Sequence, residues 1–275
     1  ARGGQVVATL QQSIVRGLDA GGVDLIGGGV DPSRHLVIPG VRVIEAVGVR
    51  KALALPDWDD VVAAVRVAVP GGKAAKVQVN LVPEGAQLGG LSFEVDVSSG
   101  QVSELALDSA ANTDTGKVAI PDGMYTVVID SDQPVVAAVR VSTASDPNAA
   151  AGGTGASDSD TVAPPSDFAW FAPSPVLSSD TAVSIAAGPA PMLSAMNPTS
   201  AAITLTLDAQ AGGGSLSLVV PAGGSASIAV DPGTSYLLKN ATGLVAAVSY
   251  GGDARLGHYG IASPGPVSAP IVIRP

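Results

Sequence analysis

Val97-Ser98-Ser99-Gly100-Gln101-Val102-Ser103-Glu104-Leu105-Ala106-Leu107-Asp108 matches, without a gap, Val220-Pro221-Ala222-Gly223-Gly224-Ser225-Ala226-Ser227-Ile228-Ala229-Val230-Asp231. Each copy leaves one extended run, turns at glycine and enters another. Immediately upstream, Leu91-Ser92-Phe93-Glu94-Val95-Asp96-Val97 alternates apolar with polar residues, as does Leu216-Ser217-Leu218 before the second copy. A period of two puts one face in a core and the other in water, which is the pattern of an antiparallel strand with one wet side.

Two further blocks recur in the same order. Pro70-Gly71-Gly72-Lys73-Ala74-Ala75-Lys76-Val77-Gln78-Val79 resembles Pro198-Thr199-Ser200-Ala201-Ala202-Ile203-Thr204-Leu205 upstream. Downstream, Gln133-Pro134-Val135-Val136-Ala137-Ala138-Val139 resembles Thr242-Gly243-Leu244-Val245-Ala246-Ala247-Val248. Three collinear matches mark a duplicated unit. Its length exceeds a propeller blade of about 40–50 residues or a solenoid repeat of about 20–45. It suits a sandwich domain of about 100 residues. The third block returns once more as Gly4-Gln5-Val6-Val7-Ala8-Thr9-Leu10, and Asp24-Leu25-Ile26 precedes Asp31-Pro32-Ser33 much as Phe168-Ala169-Trp170 precedes Pro173-Ser174-Pro175.

Val77–Leu81 and Ile203–Leu207 also alternate. Turn signals stand between strands at Pro70-Gly71-Gly72, Pro83-Glu84-Gly85, Pro121-Asp122-Gly123, Pro221–Gly224 and Asp231-Pro232-Gly233. The predicted fold is all-β: tandem β-sandwich-like domains with an internal repeat. Residues 1–35 read as the tail strands of an incomplete unit, 36–144 as the first sandwich, 145–166 as a Gly/Ala/Ser/Asp/Pro-rich linker and 167–275 as the second sandwich. Val41–Leu55 reads as strand-rich because Gly48 interrupts a helical pattern, with a single helical turn within Ala52–Asp60.

Aromatic residues are only 3% against 46% hydrophobic, so the core must be built from Val, Ala, Leu and Ile. The net charge is −10 with 14 Lys+Arg, which sets the surface against nucleic acid. There is no cysteine, so disulfides, thiolate catalysis and Cys-ligated zinc are excluded, and export is modestly favoured. No apolar run reaches the roughly 18 residues that a membrane span needs. Ala1 opens directly into the strand-like Arg2–Ala8, so any targeting segment is expected upstream.

The chain holds two histidines, His35 and His258, and lacks the Gly-x-Ser-x-Gly elbow of a serine hydrolase. Asp130-Ser131-Asp132, Asp158-Ser159-Asp160 and Asp57-Trp58-Asp59-Asp60 lack the spacing of a calcium loop, with Asp57, Asp59 and Asp60 the best candidates. Gly27–Gly29 and Gly212–Gly214 read as hairpin loops and are not followed by the Lys-Ser/Thr of a phosphate cradle. No catalytic residue, metal site or cofactor is expected. Phe168-Ala169-Trp170-Phe171 is the densest aromatic group, and alternation puts Phe168 and Trp170 on one face. Together with Trp58, these residues anchor a core strand or form a partner or ligand patch.

Gly243-Leu244-Val245-Ala246-Ala247-Val248-Ser249-Tyr250, the turn Val220-Pro221-Ala222-Gly223-Gly224-Ser225 and the closing Ser263-Pro264-Gly265-Pro266-Val267 resemble an uncharacterised family of exported actinobacterial proteins, a domain of unknown function. The resemblance covers most of the chain. It implies an extracellular or cell-envelope location and carries no catalytic residues. The expected role is non-enzymatic: β-sheet surfaces presented for protein–protein interaction or structural support. A module binding cell-wall glycan is the alternative, and a hydrolase is third.

Overall fold

Alternation decides which way each strand faces, and pairing decides what lies behind it. The computed structural model describes residues 9–16, 19–85, 90–107, 120–146, 165–210 and 212–265. The strands are β1 (Leu10–Arg16), β2 (Asp19–Ile26), β3 (Ser33–Val43), β4 (Ala64–Ala68), β5 (Ala75–Pro83), β6 (Leu91–Val97), β7 (Val102–Ala106), β8 (Gly123–Ala144) and β9 (Ser166–Phe171). They continue with β10 (Thr181–Ser184), β11 (Met192–Met196), β12 (Ile203–Ala209), β13 (Ser215–Val220), β14 (Ser225–Ala229), β15 (Ser235–Lys239), β16 (Val245–Gly252) and β17 (Arg255–Gly260).

The first sandwich is organised by β8, which serves both of its sheets. The N-terminal half of β8 lies between β5 and β3, giving the order β6-β5-β8-β3; the C-terminal half lies between β4 and β9, giving β7-β4-β8-β9. Ile38, Val65, Val79, Leu81, Ile129, Val139 and Phe171 fill the space between the sheets. The second sandwich repeats this with β13-β12-β15-β10 over β14-β11-β16-β17, around Leu193, Leu205, Leu207, Leu238 and Val248.

The register repeats as well as the order. Val79 sits between Phe93 and Ile129, and its counterpart Leu207 sits between Leu216 and Leu238. Val67 sits between Ser103 and Ala137, and Ala195 sits between Ala226 and Ala246. A slip of one residue would turn a strand's core face to solvent, so matched registers mean matched cores. The recurring sequence blocks are the segments that fall in equivalent places. The copies differ at one point: β8 is continuous, whereas β15 and β16 are separated by a turn at 240–244, with Asn240 at φ 58 and Gly243 at φ 89.

Three expectations are revised. Composition opens the second unit at residue 167, but β9 pairs along β8 from Val139↔Phe171 to Ala144↔Ser166 and completes the first sandwich. The chain leaves this sheet at the end of β8 and returns to it; residues 147–164 of the linker, Asp158 and Asp160 among them, lie outside the described residues. Residues 1–35 divide: β1 and β2 form a hairpin of their own, while Ser33–His35 already belong to β3. Ala46–Ala52, within the stretch expected to be strand-rich, is a short helix, α1. Gly48 permits it, because a Cβ there would lie 1.8 Å from the carbonyl oxygen of Ala144. The glycine that argues against a helix in sequence lets this helix lie directly on β8. A 3-10 turn follows at Asp59–Val61.

The two sandwiches share an interface. β16 is buried from Val245 to Gly251, with one face on its own core and the other towards β3. Gly40 of β3 has φ 70, and a Cβ on it would lie 3.0 Å from the Ser194 side chain, so glycine is needed for both backbone and contact. Thr126 and Ser225 hydroxyls meet at 2.7 Å, Arg42 donates to the Ala190 carbonyl at 2.5 Å, and the Ala254 amide donates to Glu45 at 3.4 Å. Leu256 of β17 packs into the first sandwich's core.

Candidate functional site

The β2–β3 connection, the segment after β9 and strand β17 enclose a cleft of about 860 Å³. Folding brings both histidines of the chain to its walls, with Trp170, Ser174, Val176 and Tyr259. His35, on β3, is half exposed, and its Nδ1 lies 2.8 Å from Asp130 Oδ1. His258, on β17, stacks against Phe171 with ring centroids 4.7 Å apart. One edge of the residue reaches the cleft, while its Nε2 is sealed from solvent and has no hydrogen-bond partner. Burial pushes the imidazole down to about 4, partly offset by its hydrogen bond to the Pro39 carbonyl. His258 is therefore a neutral ring at neutral pH.

Among the described residues the ring bonds the Pro39 carbonyl and its Nε2 has no partner, which is not the acid-oriented arrangement of a triad histidine. Ser174 Oγ is likewise buried without a partner, and the Ser174 backbone amide donates to the Val37 carbonyl at 3.1 Å. Tyr259 donates its hydroxyl to the Ser184 carbonyl at 2.7 Å, and burial with the neighbouring Tyr250 raises its pKa strongly.

The four aromatic residues singled out in sequence are all buried: Trp58 at 5%, Phe168 at 1%, Trp170 at 8% and Phe171 at 0% exposure. Alternation along β9 holds. Ala169 and Phe171 face the first core, while Phe168 and Trp170 face the β1–β2 hairpin. Trp170 donates its indole N–H to Gln12 and its backbone amide to Asp24, both at 2.7 Å, and Arg66 stands 5.0 Å from the ring centroid. Trp58 packs apart from them with Ala52, Val61 and Ala144, with Arg16 4.3 Å above its ring. Arg16 also reaches Asp60 at 2.7 Å and the Asp57 carbonyl at 2.8 Å, so that acidic segment is tied to a cation of the hairpin. Among the described residues, no group of three or more acidic or histidine side chains could hold a metal ion.

Equivalent positions on the outer faces of the two sheets carry different chemistry. Arg66 faces Glu104 across strands where Ser194 faces Ser227, and Arg140 faces Trp170 where Ser249 faces His258. The second set is small enough to admit Gly40 and a carboxylate. Glu84 accepts a hydrogen bond from Ser227 here, and burial raises its pKa. No local pattern in the sequence marks Glu84, Ser174, Arg16 or Arg140 as residues of these sites. Trp170 and His258 could have been linked by extending the repeat alignment one strand further.

The fold defines an all-β protein of two stacked, register-matched sandwich repeats. The chain belongs to DUF5719, a family of unknown function whose model matches residues 1–239. No curated protein matches it. Among solved structures, one described as the crystal structure of Thermotoga maritima 1070 is 20% identical, with a TM-score of 0.31, and covers 42% of this chain and 84% of its own.

Proposed function

We propose that this chain is a non-enzymatic protein of the actinobacterial cell envelope or exterior, in which stacked sandwiches form a stiff body presenting sheet surfaces to protein partners. The observation that carries the reading is the junction. β16 is buried on both faces, and Leu256 sits in the neighbouring core, so the repeats are built to hold together as one body. The aromatic residues that would serve as an exposed sugar platform are instead spent on cores and on the hairpin contact. The absence of cysteine and the acidic surface suit an exported protein.

A glycan-binding reading draws on Trp170 and Tyr259 beside the cleft. Fractionation of the source cells, a glycan array and assays on cell-wall substrates test these readings together. The protein is expected in the envelope or medium fraction, with neither cleft-dependent glycan binding nor turnover. Recovery from the cytoplasm would remove the location. Array binding lost in Trp170→Ala would replace protein partners by glycan. Turnover abolished by His258→Ala or His35→Ala would replace the reading by a hydrolase.

A further inference from the structure

The hairpin β1–β2 has the geometry of a third copy's last two strands. Gly4–Leu10 aligns residue for residue with Gln133–Val139 and with Thr242–Val248, which makes Leu10 the counterpart of Val139 and Val248. The pairing agrees: Leu10 faces Ile26 where Val139 faces Phe171 and Val248 faces Tyr259. The packing agrees too. Asp24 of β2 accepts the amide of Trp170 on β9 at 2.7 Å, and Asp167 of β9 accepts the amide of Leu256 on β17 at 2.9 Å. Each closing strand thus hands a carboxylate to the closing strand of the next repeat.

What differs is the cover. Val139 and Val248 are 0% exposed at the centres of their cores, while Leu10 is 62% exposed. The edge of β8 away from β9 carries β4, and the edge of β16 away from β17 carries β11. The corresponding edge of β1 carries no strand among the described residues. An open edge beside an exposed apolar side chain is a template for a further strand.

We propose that β1 and β2 close a further sandwich repeat, and that the free edge of β1 pairs antiparallel with a strand of the same polypeptide lying N-terminal to Leu10. The occupant follows from chain order: in both complete copies the strand on this edge comes earlier in sequence than the strand it pairs with. Leu10 and Ile26 then enter that repeat's core. Leu25 and Val23, on the opposite face of β2, correspond to Trp170 and Phe168 and remain outside it.

Thiol labelling tests this, because a chain without cysteine gives single-site variants. Leu10→Cys, Leu25→Cys and, as an exposed control on the second sandwich, Val219→Cys are made in residues 1–275 and in the polypeptide as the source cell produces it. All three should label alike in residues 1–275. In the cellular polypeptide Leu10→Cys should slow by about 100-fold, as a site reached only through local opening does, with Leu25→Cys and Val219→Cys unchanged. Hydrogen exchange at Leu10 and Gln11, the described positions equivalent to those that β4 and β11 cover, gives the same comparison in the unsubstituted proteins if Leu10→Cys disturbs folding. Equal labelling of Leu10→Cys in both polypeptides, slow labelling already in residues 1–275, or protection of Leu25→Cys with Leu10→Cys free would each overturn the proposal. The last outcome would mean a hairpin stacked on the outer face instead.

Discussion

The outer face of the first sandwich, with Glu104, Arg66, Arg140 and Trp170, and the outer face of the second, with Ser227, Ser194, Ser249 and His258, occupy the same places in the same registers. One is a layer of long side chains, the other a layer of short ones. On the first, Arg66 holds Glu104 at 2.5 Å and leans towards Trp170, Arg140 donates to the Asp60 carbonyl, and the hairpin rests on the indole. On the second, three serines leave room for the backbone of β3 at Gly40. Duplicated backbones do not imply duplicated surfaces. Side-chain volume at four positions decides whether a sheet receives a neighbouring repeat edge or a separate hairpin.

Exchanging residues between the faces should break that contrast. Ser194→Arg places the first sandwich's long side chain where the Gly40 backbone approaches, and overpacking there should cost about 3 kcal/mol. Calorimetry should then show unfolding split or sharply lowered relative to the unsubstituted protein; an unchanged profile would mean that the junction tolerates the bulk. The reverse exchange, Trp170→His, removes most of a buried indole and its bond to Gln12, at about 3 kcal/mol. Hydrogen exchange should accelerate across β1 and β2 first, with the second sandwich unaffected.

Acid sharpens the comparison, because the second face alone carries a histidine. Folded His258 titrates near 4, while the unfolded ring titrates near 6.5. Between those values the unfolded chain binds the extra proton, so stability falls as the pH drops from 6.5 towards 4, by on the order of 2–3 kcal/mol. Glu84 acts in the opposite sense. Its raised pKa means the folded protein takes up that proton first, so its burial becomes less costly as the pH falls through the raised value. Urea midpoints measured against pH should lose the acid-side decline in His258→Phe and lose the opposing gain in Glu84→Gln. The smallest effect is expected of Arg66→Ala. Arg66 and Glu104 are both partly exposed, so the loss should stay at about 1 kcal/mol or less in a melting curve.

Strand alternation and turn chemistry were legible because both are local. Leu91–Val97 needs only its own side chains to declare two faces, and Pro221–Gly224 needs only its own backbone to turn. The duplication was legible because it repeats those local signals in order. Helix α1 was not, since the fact that explains Gly48 is the carbonyl of Ala144, far away in sequence. The placement of β9 was missed for a related reason. Composition marks where a chain becomes polar, but not that it returns to the strand it left. The cleft was invisible because His35 and His258 meet only through the packing of β17 against β3 and β9. Buried Trp58 shows the limit of motif reading: its acidic neighbours suggest a cation, and the cation supplied is Arg16.

The uninterrupted course of β8 bears on how the first repeat comes apart. A strand of 22 residues contributes to both layers at once, so neither layer can detach without disturbing the other. In the second repeat the same path is broken by the turn that contains Asn240 and Gly243, which gives its two layers a point at which they can part. Partial opening should therefore begin in the C-terminal repeat, and the N-terminal one should yield all at once.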